Sequence, residues 1–304
     1  MMTLEGVLPV IKPVDFTSHD VVAKVRGILG IRRIGHTGTL DPKVTGVLPL
    51  CIGRATRVVE YIQDLPKQYE AVLTIGLATD TEDMTGNVIE RVEQVDLSIQ
   101  DIEKVFAKFL GVIDQVPPMY SAIKVDGQRL YDLARQGQVI ERQPRKVEIY
   151  ELEIRSADLE LAHPQIKFRV KCSKGTYIRT LCVDIGQALG YPAVMSELVR
   201  TATGSILLAD CLTLEELSEL AKQGAVALRM IPTDVAITHL PSCHVSDLEA
   251  LHAVQGKTIH PTSLPNETYL DQEVVRLYST DERFLGIFRW HAEQKSFTPE
   301  KVFN

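Results

Sequence analysis

Gly35-His36-Thr37-Gly38-Thr39-Leu40-Asp41-Pro42 is the most distinctive stretch of the chain, with its glycines, a histidine and an Asp-Pro step set among basic neighbours. Taken alone it allows a purely structural role. Asp is among the commonest helix N-caps and Pro suits the first helical position, so Asp41 and Pro42 could open a helix. His36 could simply hydrogen-bond a turn. Outward from it, Arg32 to Arg57 is rich in Gly and Thr and reads as loops and short strands. Upstream, Gly6 to Ile11 reads as a strand. Ser18 can cap a helix whose apolar positions Val21, Val22, Val25, Ile28 and Leu29 recur at helical spacing as far as Gly30.

Downstream, Tyr69 to Gly76 alternates like a strand, and Ile102, Val105, Phe106 and Phe109 mark a helix over Ser98 to Leu110. A Pro-containing excursion, Gln115 to Arg145, then interrupts the rhythm. Ile166, Phe168, Val170 and Cys172 alternate with Lys167, Arg169 and Lys171, which predicts a strand with one apolar and one cationic face. Tyr177, Ile178, Leu181, Cys182, Ile185 and Leu189 give a helical stripe ending at Gly190, and Thr213 with Glu216 forms a capping box. Pro232 to Pro241 marks a boundary. Beyond it lie a helix, Ser246 to Gln255, and strand-like runs at Val274 to Tyr278 and Phe284 to Trp290. Strands and helices without regular βαβ periodicity predict an α+β fold with a mixed sheet, followed by a small mainly β domain.

Composition narrows the function. The 304 residues carry 33 Lys+Arg against 40 Asp+Glu, net −7, and 45% are apolar, which excludes a disordered chain. No apolar run approaches the ~18 residues of a membrane helix, and Met1 to Val10 carries Glu5 where a secretory signal has Lys or Arg. No membrane association is expected, and the reading is cytoplasmic. Five cysteines without a C-x-x-C spacing disfavour a disulfide framework or zinc site, and no H-E-x-x-H, P-loop or G-x-G-x-x-G occurs. No metal or cofactor is expected, and ATPase or dinucleotide chemistry is disfavoured. Charge is uneven. Residues 32 to 57 carry +4, 124 to 146 carry +3 and 167 to 179 carry +5. If these converge they make a basic groove on an acidic body.

Gly35 to Gly46, continuing through Val47-Leu48-Pro49-Leu50-Cys51-Ile52-Gly53-Arg54-Ala55-Thr56-Arg57, closely resembles the catalytic motif of the TruB family of tRNA pseudouridine synthases. Other ordered blocks over roughly residues 6 to 206 agree. Lys12-Pro13 with Thr17-Ser18-His19 is similar to the family's first signature, with Asp15 standing where Gly is usual. Lys67-Gln68-Tyr69-Glu70-Ala71 with Gly76, Thr79-Asp80-Thr81, Asp83 and Gly86 resembles its second block. Gln115 to Gly137, with Pro117-Pro118-Met119-Tyr120-Ser121-Ala122-Ile123-Lys124, is similar to its RNA-gripping thumb insertion. Lys174-Gly175-Thr176-Tyr177-Ile178-Arg179, Asp184-Ile185-Gly186, Leu198 and Arg200 resemble its last active-site block, with Ile206 where an aromatic is often found.

The resemblance implies a mixed-sheet pseudouridine synthase catalytic domain over 1–235, a thumb insertion at about 115–145, and a PUA-like domain over 240–304. It implies isomerisation of uridine-55 in the T-loop of tRNA to pseudouridine, which needs no redox cofactor or metal. A reaction at an anomeric carbon needs a carboxylate, and Asp41 takes that part, with Arg179 holding it ionised. The extruded base needs an enclosing pocket. Tyr69 would stack on the base, and Tyr177 and Leu198 would complete the pocket. His36 would fill the space the base vacates, and Lys12 and Arg200 would contact phosphate or support a loop. Lys124, Arg129, Arg135, Arg142, Arg145 and Lys146 of the thumb would grip phosphates. The expected partner is the T-arm of tRNA, with no obligate protein partner and a monomeric state. Two rival readings are a tRNA-folding chaperone without essential catalysis and a carboxylate-dependent N-glycosidase. Since the matched blocks precede Ile206, a chain ending near Asp234 is expected to retain the conversion.

Overall fold

The computed structural model describes residues 4–121, 123–125, 127–262 and 269–304; Ala122 and Asp126 of the excursion lie outside the described residues. In chain order the first elements are β1 (Gly6–Lys12), α1 (Ser18–Leu29), β2 (Ile34–His36), β3 (Thr45–Ile52), α2 (Val59–Asp64), β4 (Lys67–Ile75), β5 (Leu77–Thr79), β6 (Val88–Arg91), α3 (Ile99–Lys108) and β7 (Gly111–Gln115). They are followed by β8 (Lys124–Val125), β9 (Gln128–Arg129), α4 (Leu130–Arg135), β10 (Arg145–Asp158), β11 (Gln165–Cys172), α5 (Ile178–Leu189), β12 (Ala193–Thr203), β13 (Ile206–Leu207) and α6 (Leu214–Lys222). The last are β14 (Ser242–His244), α7 (Asp247–Val254), β15 (Val274–Tyr278), β16 (Phe284–His291) and β17 (Ser296–Val302).

The main sheet runs β1-β3-β12-β4-β11-β10-β7, with β2 added to β3 and β13 to β12. The β3–β12 pair is parallel and its neighbours antiparallel, so the sheet is mixed. On one face α3 and α5 bury Ile102, Phe106, Leu181 and Ile185 against Leu73, Phe168 and Met195. Elsewhere α1 and α6 bury Val21, Val25 and Leu217 against Leu8, Leu48 and Leu50. Each such side chain stabilises the fold by about 1.5–3 kcal/mol, which makes this packing, not loop chemistry, what fixes the scaffold.

Alternation along β11 matches the expected strand: Ile166, Phe168, Val170 and Cys172 are buried. The cationic face is not an open groove. Arg169 meets Glu153 at 2.8 Å and Lys171 meets Glu151 at 3.2 Å across β10, while Lys174 meets Asp64 at 2.6 Å. Charge counted along a segment ignores the acids that the sheet lays beside it, so three cations of the 167–179 run, Arg169, Lys171 and Lys174, are offset by acidic neighbours.

The helix cap also differs from the expectation. Thr17, not Ser18, is the N-cap of α1; its hydroxyl accepts from Asp20 N at 3.1 Å, while Thr17 N donates to Asp20 Oδ2 at 2.8 Å. Ser18 is thereby released for another contact, described below.

The excursion leaves β7 at Gln115 and returns in β10 at its register partner Arg145. It carries the β8–β9 hairpin and α4. The four-stranded sheet β14-β15-β16-β17 has its own core of Val275, Leu277, Phe288, Trp290 and Phe297. Ile287 and Phe303, however, join a cluster with Val7, Val47, Cys51, Val58 and Ile62 behind the main sheet. Polar contacts cross the same seam. Tyr61 Oη donates to Glu300 Oε2 at 2.7 Å, Lys301 meets Glu60 at 2.9 Å, and the Arg57 guanidinium donates to Val302 O and lies 6.0 Å from the Phe303 ring centre. The sequence boundary at 232–241 is a change of sheet and not a break in packing.

Candidate active site

No helix begins at Asp41. Val44 N donates to Asp41 O at 3.0 Å, closing a turn that runs straight into β3, so the capping role that the Asp-Pro step allowed is not the one adopted. The Asp41 carboxylate is therefore not committed to backbone amides of a helix end. The loop that carries it is tied down from several sides. The freed Ser18 hydroxyl accepts from Leu40 N at 3.0 Å. Lys12 is fully buried, and its three Nζ–H donors go to Pro13 O at 2.9 Å, Phe16 O at 2.5 Å and Pro42 O at 2.9 Å. Burial pulls the Lys12 ammonium down to about 8, against the raising influence of Asp41. Asp15 N also donates to Pro42 O at 2.9 Å, and Asp15 sits at φ 68°, a conformation Asp tolerates better than most residues. The substitution of Asp for the usual Gly thus keeps this turn.

Arg179, in the first turn of α5, is the counterpart of Asp41. Its side chain is 5% exposed, and Nε lies 3.0 Å from Asp41 Oδ2 and 4.0 Å from Asp83 Oδ2. Its other arms donate to Thr81 O through Nη1 at 2.9 Å and to Tyr120 O through Nη2 at 2.8 Å. Every edge of the planar guanidinium is thus fixed, which sets the direction of its charge. Asp83 is itself oriented by Thr81 Oγ1 at 2.8 Å and Thr85 N at 2.9 Å. Asp41 keeps 43% of its side chain open, so one face of the carboxylate is free for a substrate. Burial lifts the Asp41 carboxyl above its ordinary pKa, Arg179 opposes the lift, and the Asp83 charge adds to it.

Tyr69 and Tyr177 are half-buried, and both phenols are raised chiefly by burial, with the Asp41 charge adding to the rise. Tyr69 is the register partner of Arg200, and Ala71 that of Leu198, so Tyr69, Leu198 and Arg200 project from one face of adjoining strands. Leu198 packs on the same cluster as Tyr69, so it also serves the core. Arg200 is 2% exposed, and its Nε donates to Val47 O at 2.6 Å. Lys12 and Arg200 are thus placed to support loops rather than to meet a phosphate at the surface. Close packing around Arg200 explains Gly46: at φ +119°, a Cβ there would stand 2.2 Å from Arg200 O. His36 donates from Nδ1 to Gly38 O at 3.0 Å, and its ring meets exposed His19 edge-on at 5.1 Å. Burial lowers its pKa, keeping a neutral ring at neutral pH.

In the thumb the cations divide. Lys124, Arg129, Arg135 and Arg145 are exposed, the Arg129 and Arg135 guanidinium groups lying 5.6 and 5.5 Å from the Tyr131 ring centre. Arg142 instead turns back to donate to Pro117 O at 3.0 Å, and Lys146, though exposed, pairs with Asp114 at 3.3 Å. Sequence reasoning gave no role to Gln115, Asp83, Thr81 or Tyr120, although all lie within the blocks that carry the resemblance. Their contacts to Arg179 and Tyr177 join segments far apart in the chain, which no local pattern reveals. Among the described residues, no three His, Cys, Asp or Glu side chains converge so as to hold a metal ion. No described helix is long and apolar enough to cross a membrane.

Residues 26–178 match the family model of the TruB family pseudouridylate synthase N-terminal domain, and residues 179–238 that of the tRNA pseudouridylate synthase B C-terminal domain. The chain is 46% identical to tRNA pseudouridine synthase B of Geobacillus thermodenitrificans, covering 99% of this chain and 100% of that protein. It is 43% identical to the enzyme of that name from Staphylococcus aureus, covering 98% and 99%. Among solved structures, the archaeal box H/ACA Nop10–Cbf5 complex contains a chain matched at TM-score 0.74 and 27% identity, over 99% of this chain and 86% of that one. A Cbf5–Nop10–Gar1 complex matches at TM-score 0.75 and 28% identity, over 98% and 85%.

Proposed function

Because the chain belongs to the TruB family of pseudouridine synthases, it forms pseudouridine in tRNA, and we propose that it does so at uridine-55 of the T-loop with Asp41 as the essential carboxylate. The observation that carries the assignment is the 3.0 Å pairing of a half-open Asp41 with a buried, fully bonded Arg179. The isomerisation breaks the bond from C1′ to N1 of the base, turns the base, and joins C1′ to C5, with loss of the C5 proton and gain of a proton at N1. Charge moves at C1′ and on the base in every step, and a fixed carboxylate is the group that meets it. Arg179 keeps that carboxylate ionised and aimed, and cannot itself rotate away without breaking its bonds to Thr81 O and Tyr120 O.

A base reaches this cleft only by leaving its stack. Tyr69 is the platform on which the extruded uracil stacks, with Tyr177 and Leu198 as walls and His36 filling the space left in the loop. Exposed thumb cations with no acidic partner within ion-pair distance among the described residues, Lys124, Arg129, Arg135 and Arg145, hold the phosphates. The reaction is redox-neutral and every proposed group comes from a single chain, so the reading is of a monomer acting on free tRNA in the cytoplasm. We read residues 240–304 as a PUA-like domain. A chaperone would have no use for the Asp41–Arg179 pair, and an N-glycosidase would release uracil. Carbodiimide or mass-spectrometric mapping of an unmodified tRNA transcript after treatment tests the reading: pseudouridine at position 55 supports it, and free uracil or an unchanged transcript overturns it.

A further inference from the structure

The thumb is rooted in the active site through the side-chain amide of Gln115 and the backbone carbonyl of Tyr120. Gln115 is the last residue of β7 and is 1% exposed, and beyond it the chain leaves the sheet. Both polar atoms of its side chain go to one residue: Nε2 donates to Tyr177 O at 3.0 Å, and Oε1 accepts from Tyr177 N at 2.8 Å. A backbone N–H can only donate and a carbonyl only accept, so this pairing also fixes which way round the amide lies. It is the two-bond pairing that a neighbouring strand would make, supplied here by a side chain. Tyr177 is the N-cap of α5 and makes no side-chain capping bond, so Gln115 supplies order that the helix start lacks. Arg179 follows two residues later. Its Nη2 donates to Tyr120 O at 2.8 Å, five residues past Gln115 on the root of the thumb.

We propose that Gln115 is a positioning residue for the isomerisation: by holding Tyr177 it sets one wall of the base pocket and the first turn of α5, and so the placement of Arg179 against Asp41. The inference rests on the reading of Asp41 and Arg179 given above. It follows that the thumb and the catalytic ion pair share an anchor, at Gln115 and again at Tyr120, so that what RNA does to the thumb is felt at Asp41. Neither a salt bridge nor an apolar contact at this position would do the same. The site needs one donor and one acceptor, side by side, on an uncharged group.

Gln115→Met keeps the length of the side chain and removes both hydrogen bonds, whereas Gln115→Glu keeps an acceptor for Tyr177 N and sets a negative charge against Tyr177 O. Three readouts are taken on the full chain: thermal unfolding, affinity for unmodified tRNA, and the single-turnover rate of pseudouridine formation as a function of pH. The expected result for Gln115→Met is tRNA affinity within about twofold of wild type with a rate about 10- to 100-fold lower, the scale that a misplaced catalytic group produces. The acid limb of its rate profile moves to higher pH, because Arg179 no longer holds Asp41 as closely. Gln115→Glu falls at least as far. A folded Gln115→Met with the wild-type rate, or one whose rate falls only as affinity falls with the acid limb unmoved, overturns the inference. So does failure of both variants to fold, which would make the residue structural only. Wild-type protein and Asp41→Asn run in parallel: a wild type that makes no pseudouridine defeats the reading of the site as a whole, whereas an active wild type matched by Gln115→Met defeats this inference alone.

Discussion

Phe303 lies beyond the last strand of the C-terminal sheet, yet it is 5% exposed within the cluster that also holds Val7, Cys51 and Val58 of the catalytic half. Phe303→Ala removes a buried aromatic, a change that costs about 3–5 kcal/mol in a well-packed core. Removing the ring beside which Arg57 lies adds about 0.5–1 kcal/mol. If the shared core makes the 304 residues melt together, an unfolding entropy of about 2.1 cal/mol/K per residue gives about 0.64 kcal/mol/K, so a destabilisation of about 4 kcal/mol lowers Tm by about 6 °C. If residues 240–304 instead melted alone, those 65 residues would carry only about 0.14 kcal/mol/K, and their transition would fall by nearly 30 °C while that of the catalytic half stayed put. Differential scanning calorimetry distinguishes the two. A single transition shifted by about 6 °C is expected. Two transitions, the larger unmoved, would refute the reasoning. A chain ending near Asp234 would uncover the same core at Val7, Val47, Cys51 and Ile62, so its melting temperature should fall well below that of the full chain, whatever its chemistry.

Two further outcomes follow from charge. Asp41 must be ionised to act and its pKa is raised by burial, so activity should fall on the acid side at a pH above that of an ordinary aspartate, read from the single-turnover rate against pH. The sign for stability is opposite: a raised carboxyl pKa means that the ionised group costs folding free energy, and this cost disappears as pH falls through that pKa. In the thumb, neutralising Lys124, Arg135 and Arg145 should reduce the slope of log affinity against log salt by about 0.7–0.9 for each phosphate left without its cation. Neutralising Arg142 and Lys146, which are held by Pro117 O and Asp114, should change it much less. Equal effects from both sets would place the bound cations elsewhere.

Local and periodic features were legible in the sequence. The alternation of β11 and the stripe of α5 up to Gly190 form the expected elements, because a repeat of apolar residues selects one geometry almost regardless of context. The cap of α1 differs by one residue, since Thr17 and Ser18 are both competent caps and the choice is made by Leu40 N, which takes the Ser18 hydroxyl from a loop 22 residues away. Charge was the least legible property. A run such as Lys167 to Arg179 shows no sign in itself that Glu151, Glu153 and Asp64 will lie beside it. Asp41 and Arg179 were visible only through resemblance, as nothing in their spacing indicates an ion pair. Gln115 and Asp83 remained silent for the same reason: their partners are set by topology.

Asp41 is the centre of the proposed chemistry, and Asp41→Asn is its most direct test, because the substitution keeps shape and removes charge. The variant is assayed for pseudouridine at position 55 of an unmodified tRNA transcript under single-turnover conditions, alongside tRNA affinity and thermal unfolding. The predicted result is a folded protein, unfolding no lower than wild type at neutral pH, that binds tRNA normally and forms no detectable pseudouridine. Conversion within about tenfold of the wild-type rate, at most about 1.4 kcal/mol of barrier, would contradict the claim that this carboxylate carries the reaction.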